Sequence, residues 1–219
     1  MIKLVNIHKA FGKKIVLSGI NLEINEGEFV CIVGNSGAGK STLLNLLALF
    51  DLPTFGEYFL DGTNVYKNNI DRAKVRSSTF GFVFQTFHLL EELTVAENVK
   101  IPLIYANKNA DVETRINNML GKFGLDSIIN TKCKYLSGGE KQRVAFVRAV
   151  INNPKYILCD EPTGNLDNKN SQEIIQFLKE EQKNGKTIVF ISHDFKTVEE
   201  LKNEGATTYE INAGQIKRI

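Results

Sequence analysis

The chain has 219 residues, of which 42% are hydrophobic and 24% are charged, the balance of an ordinary globular protein. Its 27 Lys and Arg residues against 25 Asp and Glu residues leave a formal charge of +2, which argues against attraction to nucleic acid or anionic lipid through overall positive charge. With no apolar stretch near the roughly 20 residues of a membrane span and no signal-peptide pattern, we expect a cytoplasmic protein that does not bind nucleic acid.

The first part of the chain shows the alternation and the apolar runs of β-strands. Ile20, Leu22 and Ile24 alternate with polar residues, the period of a strand with one buried face. Residues 29–33 form a continuous apolar run, as in a strand buried on both faces. A buried helix is predicted from Lys40 to about Phe50. Further strands are expected within residues 57–65 and 79–84.

The middle of the chain, from about His88 to Asn152, is predicted to be mostly helical, with Pro102 breaking or kinking its first segment. The remaining predicted elements are a strand at 156–159, a helix at 171–183, a strand at 187–191, a helix at 194–202 and two terminal strands. Such alternation predicts an α/β fold with a mostly parallel sheet. We expect residues 1–87 and 153–219 to form the α/β core, and residues 88–152 to form an inserted helical subdomain.

A glycine-rich segment after the first buried strand matches the phosphate-binding pattern G-x-x-x-x-G-K-[ST]. Its residues, with the threonine that follows, are Gly34, Asn35, Ser36, Gly37, Ala38, Gly39, Lys40, Ser41 and Thr42. Backbone N–H groups of such a loop and the following helix N-terminus favour an anion. The pattern predicts that Lys40 reaches the β- and γ-phosphates and that Ser41 holds Mg²⁺. The base-reading motif of GTPases is absent from the sequence, which disfavours that class.

Three polar residues follow buried strands that are predicted to end at the same edge of the sheet. Asp160 and Glu161 come directly after 156–159, and His193 follows 187–191. Ligands of parallel sheets bind at the carboxyl ends of the strands. We therefore predict that Asp160 holds Mg²⁺, that Glu161 polarises the attacking water, and that His193 hydrogen-bonds the γ-phosphate.

A second anion site is predicted where Ser137, Gly138 and Gly139 precede a helix. Taken singly, these residues also fit an ordinary serine N-cap followed by glycine spacers. With Leu136 and Glu140, however, they match the signature motif of the nucleotide-binding subunits of ABC transporters, which nearly the entire chain resembles. The resemblance implies a P-loop NTPase of the RecA-like type, with an N-terminal antiparallel β subdomain and a helical subdomain that carries the signature motif.

The resemblance also assigns roles that the residues alone leave open. Gln85 matches the Q-loop glutamine, which in the family contacts Mg²⁺ and water; Asp167 ends the D-loop motif; Glu161 and His193 match the catalytic glutamate and the switch histidine. Phe11 lies where the family places an aromatic residue that stacks on adenine. A phenylalanine of the core is the alternative reading of that position.

The family further implies a head-to-tail homodimer in which the signature motif of one copy contacts the γ-phosphate held by the P-loop of the other. ATP and Mg²⁺ are then the ligands, and a separate membrane permease is the partner that holds the protein at the inner face of the membrane. The segments around Gln85 and Glu161 resemble the branch that serves export of macrolides and peptides, lipoprotein release and antimicrobial-peptide resistance. A regulatory ATPase that signals to a membrane partner without transport remains the alternative.

Overall fold

The computed structural model describes residues 1–67, 70–106 and 111–219. Strands and helices in these ranges follow one another as β1 (Ile2–Phe11), β2 (Lys14–Ile24), β3 (Phe29–Val33), α1 (Lys40–Leu47), β4 (Phe55–Leu60), β5 (Thr63–Asn64), α2 (Arg72–Thr79), β6 (Phe80–Phe84), α3 (Val95–Tyr105), α4 (Val112–Lys122), α5 (Gly138–Val150), β7 (Tyr156–Asp160), α6 (Asn168–Lys183), β8 (Thr187–Ser192), α7 (Phe195–Asn203), β9 (Thr207–Asn212) and β10 (Gln215–Arg218). Short 3₁₀ helices lie at Asp126–Ile128 and Cys133–Tyr135. Among the residues described, no helix has both the length and the apolar character needed to cross a membrane.

Two sheets form the framework. The N-terminal sheet is antiparallel, with the order β2-β1-β4-β5, and the larger sheet has the order β10-β9-β3-β8-β7-β6. In the larger sheet, β9, β3, β8, β7 and β6 run parallel, and β10 is an antiparallel edge strand. The predicted α/β fold with an N-terminal antiparallel β subdomain is therefore confirmed.

The parallel strands end in register at one edge, and this register places the site. Val33 lies opposite Ser192, Ile191 lies opposite Asp160, and Asp160 lies opposite Phe84. Because β3 and β8 are buried along their whole length, their side chains pack against helices on both faces of the sheet. The residues that follow these strands therefore meet at one edge.

The hairpin of β9 and β10 connects the two sheets through main-chain contacts. The Ser18 amide of β2 donates to the Gly214 carbonyl oxygen at 2.9 Å. Gly214 has φ 75°, and a Cβ there would lie 2.4 Å from the Val16 carbonyl oxygen. At the neighbouring position on β2, Leu17 Cδ2 lies 2.8 Å from where a Cβ of Gly39 would be. The end of the chain and the glycine-rich loop thus both pack directly on β2.

The helices from α3 to α5 bury an apolar cluster of their own. Its central side chains include Val99, Leu103, Leu120, Val144 and Val147. This cluster agrees with the predicted helical region, although the predicted range 88–152 includes residues 107–110, which lie outside the described part of the chain. The domain boundaries at 87/88 and 152/153 remain predictions.

Three local predictions differ from the structure for identifiable reasons. The helix α1 ends at Leu47 rather than near Phe50, because Leu49 takes the left-handed conformation (φ 58°). Pro102 lies inside α3, which continues to Tyr105, so the predicted break is wrong and the alternative of a kink stays a prediction. The sequence does not predict α2, which has no buried residue and hence no apolar period; it is marked only by Asp71, whose carboxylate accepts from the amides of the first turn.

Candidate functional site

The glycine-rich loop links β3 to α1 and is closed by its own lysine. Lys40 is 6% exposed, and its Nζ donates to the Gly34 carbonyl at 2.8 Å and to the Asn35 carbonyl at 3.1 Å. Gly34 has no room for a side chain, since a Cβ there would lie 2.3 Å from the Ile211 carbonyl oxygen. The helix N-terminus at Gly39 has no side-chain cap, so its first amides are available to an anion.

Asp160 lies beside this loop, at the end of β7. Its Oδ1 is 3.4 Å from Ser41 Oγ. Burial raises the pKa of the Asp160 carboxyl above its usual value of 3.8, and the neighbouring Glu161 carboxylate raises it further against the opposing effects of Ser41 and Lys40. A carboxylate that is costly to ionise in this place is better satisfied by a cation than by solvent. Among the described residues no group of three or more His, Cys, Asp or Glu side chains is placed to hold a metal. Asp160 and Ser41 are the two oxygen-bearing side chains that meet beside the loop, and oxygen ligands suit a hard cation.

Glu161 contacts two other predicted site residues, His193 and Lys40. Its Oε2 is 2.9 Å from His193 Nδ1 and its Oε1 is 3.9 Å from Lys40 Nζ. The Glu161 backbone has φ 49°, an unfavourable conformation for a residue with a Cβ. Its amide donates to the Ile191 carbonyl at 2.9 Å, which attaches this strained turn to the neighbouring strand β8. Strain of this kind clusters at functional sites, where the surroundings hold the residue in place.

Gln85 follows β6 and reaches the same edge. Its carbonyl oxygen accepts from Asn165 Nδ2 at 3.1 Å. Its side chain lies against Gly164, where a Cβ would come within 2.9 Å of Gln85 Nε2. The structure thus brings Gln85, Asp160, Glu161 and His193 to the edge that carries the glycine-rich loop, as the sequence predicts.

Phe11 lies at the end of β1, in the other sheet, and is 53% exposed. This exposure rules out the alternative that Phe11 is a core residue. Its ring lies 4.7 Å from the ammonium of Lys9. Lys9 itself is 8% exposed and is held by Asp51 Oδ1 at 2.7 Å and the Leu52 carbonyl at 2.8 Å. Phe11 therefore presents an aromatic face to solvent beside a fixed cation.

The second predicted anion site lies apart from the first. Ser137 caps α5 in a capping box: its Oγ donates to Glu140 Oε2 at 2.7 Å and accepts from the Glu140 amide. Gly138 is exposed, and Asp167 caps α6 by accepting from the Asn170 amide at 2.8 Å. A groove of about 310 Å³ joins these elements, and no residue of the glycine-rich loop lines it. Within one chain, the signature serine and glycines are thus not part of the site around Lys40.

Two further residues connect the helical region to the site, and neither was predicted from the sequence. Gln142 is fully buried on α5, and its Nε2 donates to the Pro162 carbonyl, one residue after Glu161, at 2.6 Å. Arg148, also on α5, donates to the carbonyls of Phe87 and His88. A polar residue among apolar ones on a predicted buried helix face is a signal for Gln142, but no sequence pattern identifies the distant partners of Arg148.

The chain is similar to known proteins in both sequence and structure. A family model described as ABC transporter matches residues 17–164. The chain is 46% identical over 200 residues to the ABC transporter ATP-binding protein YvrO of Bacillus subtilis (strain 168), covering 89% of this chain and 87% of that protein. It is 41% identical over 208 residues to the macrolide export ATP-binding/permease protein MacB of Escherichia coli, covering 92% of this chain but 32% of MacB.

Solved structures agree. The chain matches a dimeric structure of MJ0796, a bacterial ABC transporter cassette, with a TM-score of 0.89 and 40% identity over 100% of this chain and 97% of that one. A second structure of MJ0796, a dimeric post-hydrolysis state bound to ADP and Pi, matches with a TM-score of 0.88 and 39% identity, over the same shares of both chains.

Proposed function

This chain belongs to the ABC transporter family as an ATP-binding and ATP-hydrolysing domain, and from that membership we propose how its residues divide the work. The observation that carries the assignment is the convergence at one sheet edge of Lys40, Ser41, Asp160, Glu161 and His193. Lys40 and Ser41 begin α1, Asp160 and Glu161 lie at the end of β7, and His193 follows β8, so their meeting is a property of the fold.

The glycine-rich loop binds the phosphates of ATP. When ATP enters, the ammonium of Lys40 exchanges the Gly34 and Asn35 carbonyls for β- and γ-phosphate oxygens. The backbone amides of residues 34–42 and the N-terminus of α1 add further donors. The exposed ring of Phe11 stacks on the adenine. We assign Ser41, Asp160 and Gln85 to Mg²⁺, which when bound neutralises charge on the phosphates.

Glu161 accepts the proton of the attacking water. Its contact with His193 at 2.9 Å holds the carboxylate beside Lys40, and so beside the γ-phosphate that Lys40 binds. His193, 56% exposed, lies on the open side of this pair, where its imidazole reaches the γ-phosphate. Because hydrolysis depends on placing charge and a base rather than on covalent chemistry by the protein, the positions of these side chains account for most of the activity.

The second anion site acts on a second copy of the chain. Ser137, Gly138 and Gly139 lie in a groove that the loop's own residues do not reach, so they are available to an ATP molecule held by another copy. Such sharing requires a two-fold, head-to-tail dimer with two nucleotides. The dimeric structures of the MJ0796 cassette support this arrangement.

A membrane permease is the partner that would make ATP hydrolysis useful. Residues 88–152 form the helical subdomain, and residues 1–87 and 153–219 form the core; the permease holds the complex at the inner face of the membrane. MacB is named as both an ATP-binding protein and a permease, and this chain spans about a third of it. This similarity favours export as the activity of the complex, with macrolides, peptides or lipoproteins as its substrates.

The Glu161→Gln variant tests the enzymatic assignment. We expect ATP turnover to fall by about 100-fold or more, because an amide does not accept the proton, while ATP binding survives. Glu199→Gln, an exposed residue of α7, is the matched control and should turn over ATP like the parent. Unchanged turnover in Glu161→Gln overturns the role of Glu161.

The same variant tests the dimer, since it retains ATP. Size-exclusion chromatography of Glu161→Gln with saturating ATP and Mg²⁺ should show a dimer that ADP does not support. A monomer under these conditions contradicts the shared site. Purification of the tagged protein from its native membrane should then yield a stoichiometric permease, and a permease complex that transports nothing would favour the regulatory alternative.

A further inference from the structure

The loop after Gln85 contains two consecutive residues in the left-handed conformation. Phe87 has φ 60° and His88 has φ 48°, and neither is glycine. Bulky residues in this region are rare, and two in succession are strained unless their surroundings hold them. The turn is tight, with the Phe87 amide donating to the Phe84 carbonyl at 3.2 Å and the His88 amide to the Thr86 carbonyl at 2.6 Å.

One side chain from a distant helix holds both residues. The guanidinium of Arg148, in the last turns of α5, donates through one nitrogen to the His88 carbonyl at 2.5 Å and through the other to the Phe87 carbonyl at 2.6 Å. A planar fork is suited to two adjacent acceptors, and a lysine would reach only one of them at a time. The rings of Phe84 and His88 also pack, with centroids 4.6 Å apart.

These two hydrogen bonds from Arg148, the clamp, lie close to Gln85, which precedes Phe87 by two residues. The Gln85 carbonyl accepts from Asn165 Nδ2 at 3.1 Å, so Gln85 lies between two attachments. The helix α5 begins at Gly138 and carries Arg148 ten residues later, roughly 15 Å along its axis. Any displacement of α5 therefore pulls on the loop through the guanidinium.

We propose that Arg148 is a positioning residue for Gln85, which it serves by stabilising the left-handed pair Phe87 and His88. The proposal rests on the function assigned above only in taking Gln85 to act on Mg²⁺ and water. Its geometric part, that Arg148 offsets backbone strain, concerns the nucleotide-free chain and stands independently.

Four variants test this proposal: Arg148→Met, Arg148→Lys, His88→Gly and the double variant Arg148→Met/His88→Gly. Arg148→Met should lower kcat by about 10-fold to 100-fold, as expected for a misplaced active-site group, with the affinity for a fluorescent ATP analogue unchanged because the glycine-rich loop is untouched. Arg148→Lys should lie between Arg148→Met and the parent. Arg115→Met, which removes a cation from α4, is the control and should retain the parent kcat.

The glycine variant separates positioning from general structural support. Glycine takes positive φ without a Cβ clash, so His88→Gly should make the chain less dependent on Arg148 and restore much of the kcat lost in Arg148→Met. If Arg148→Met lowers kcat equally in the parent and in the His88→Gly chain, the proposal is overturned. A fall in ATP affinity as large as the fall in kcat in Arg148→Met also overturns it.

Hydrogen exchange provides the readout that needs no ATPase activity. In the nucleotide-free protein, amides of residues 84–90 should exchange faster in Arg148→Met than in the parent, with other segments unchanged. Unchanged exchange in that loop refutes the clamp. A parent protein that lacks ATPase activity but shows this local change would instead refute the proposed catalytic roles and leave the clamp supported.

Discussion

Gly139 and Asn170 are packed so closely that a side chain at residue 139 would require the Asn170 side chain to move. A Cβ on Gly139 would lie 2.5 Å from Asn170 Oδ1, and the side-chain Nδ2 of Asn170 in turn donates to Asp167 Oδ1 at 2.9 Å. Gly139, at the start of α5, and Asp167, the cap of α6, are thereby linked through Asn170 within one chain. The adjacent Gly138 faces open space, with nothing within 4 Å of a Cβ there.

Gly139→Ala should destabilise the monomer. The new methyl group would have to displace Asn170 and disturb the Asp167 cap, an overpacking cost of about 1–3 kcal/mol. We expect thermal unfolding without nucleotide to show a melting temperature a few degrees below that of the parent. An unchanged melting temperature would mean that Asn170 moves away freely.

Gly138→Ala separates stability from nucleotide contact at the same turn. Its methyl group has room in the monomer, and alanine favours helix by up to about 1 kcal/mol over glycine, so the melting temperature should hold or rise. In the proposed dimer the methyl group faces the γ-phosphate, and ATP-dependent association should weaken. Normal association of Gly138→Ala in the Glu161→Gln background would argue that this glycine does not contact ATP.

Phe11→Trp makes the base-stacking role visible. The chain contains no tryptophan, so residue 11 would be its single indole fluorophore. ATP should change the intensity of its emission, and Phe11→Ala should weaken ATP binding by about 10-fold, the lower range of a stacked base. Phe55→Trp, an exposed position of β4 in the same sheet, is the control. If ATP changes the emission of neither Phe11→Trp nor Phe55→Trp, stacking at residue 11 is excluded.

Asp160→Asn should abolish Mg²⁺-dependent turnover and yet stabilise the nucleotide-free chain at neutral pH. Burial raises the pKa of the Asp160 carboxyl above 3.8, so the folded chain binds this proton more tightly than the unfolded chain. Stability from this group therefore falls as the pH rises through the folded pKa. The melting temperature of Asp160→Asn relative to the parent should rise between about pH 4 and about pH 7. A constant difference would contradict a burial penalty.

For Asp61 we expect the opposite pH dependence of the contribution to stability. Burial opposes its ionisation, but hydrogen bonds from Lys155, the Met1 ammonium and the Tyr156 hydroxyl outweigh burial and lower its pKa from 3.8 to about 2. Its contribution is therefore complete above 3.8 and is lost as the pH falls towards 2. Asp61→Asn should cost about 1 kcal/mol at pH 7 after allowance for solvent screening. This deficit, measured by urea unfolding, should shrink in acid; a deficit that does not depend on pH would exclude an ionic origin.

The main predictions that the structure confirms rest on patterns local in sequence. The loop around Lys40 and the acids after β7 are recognisable because buried parallel strands read as apolar runs and because such strands end at one edge. The contacts of Arg148 and Gln142 were not predictable, since their partners are backbone carbonyls, which carry no residue identity. The helix α2 was not predicted, because amphipathic periodicity requires a buried face and α2 has none.

The contacts that join the two sheets, those of β2 with Gly39 and Gly214, have an evolutionary consequence. Phe11 belongs to one sheet and the phosphate-binding loop to the other, and their separation depends on the contacts of β2 with Gly39 and Gly214. A side chain at Gly39 or Gly214 would have to displace β2, and with β2 the sheet that carries Phe11. The residues concerned are Val16, Leu17, Gly39 and Gly214, which lie far apart in the sequence. They should therefore change only together as lineages diverge.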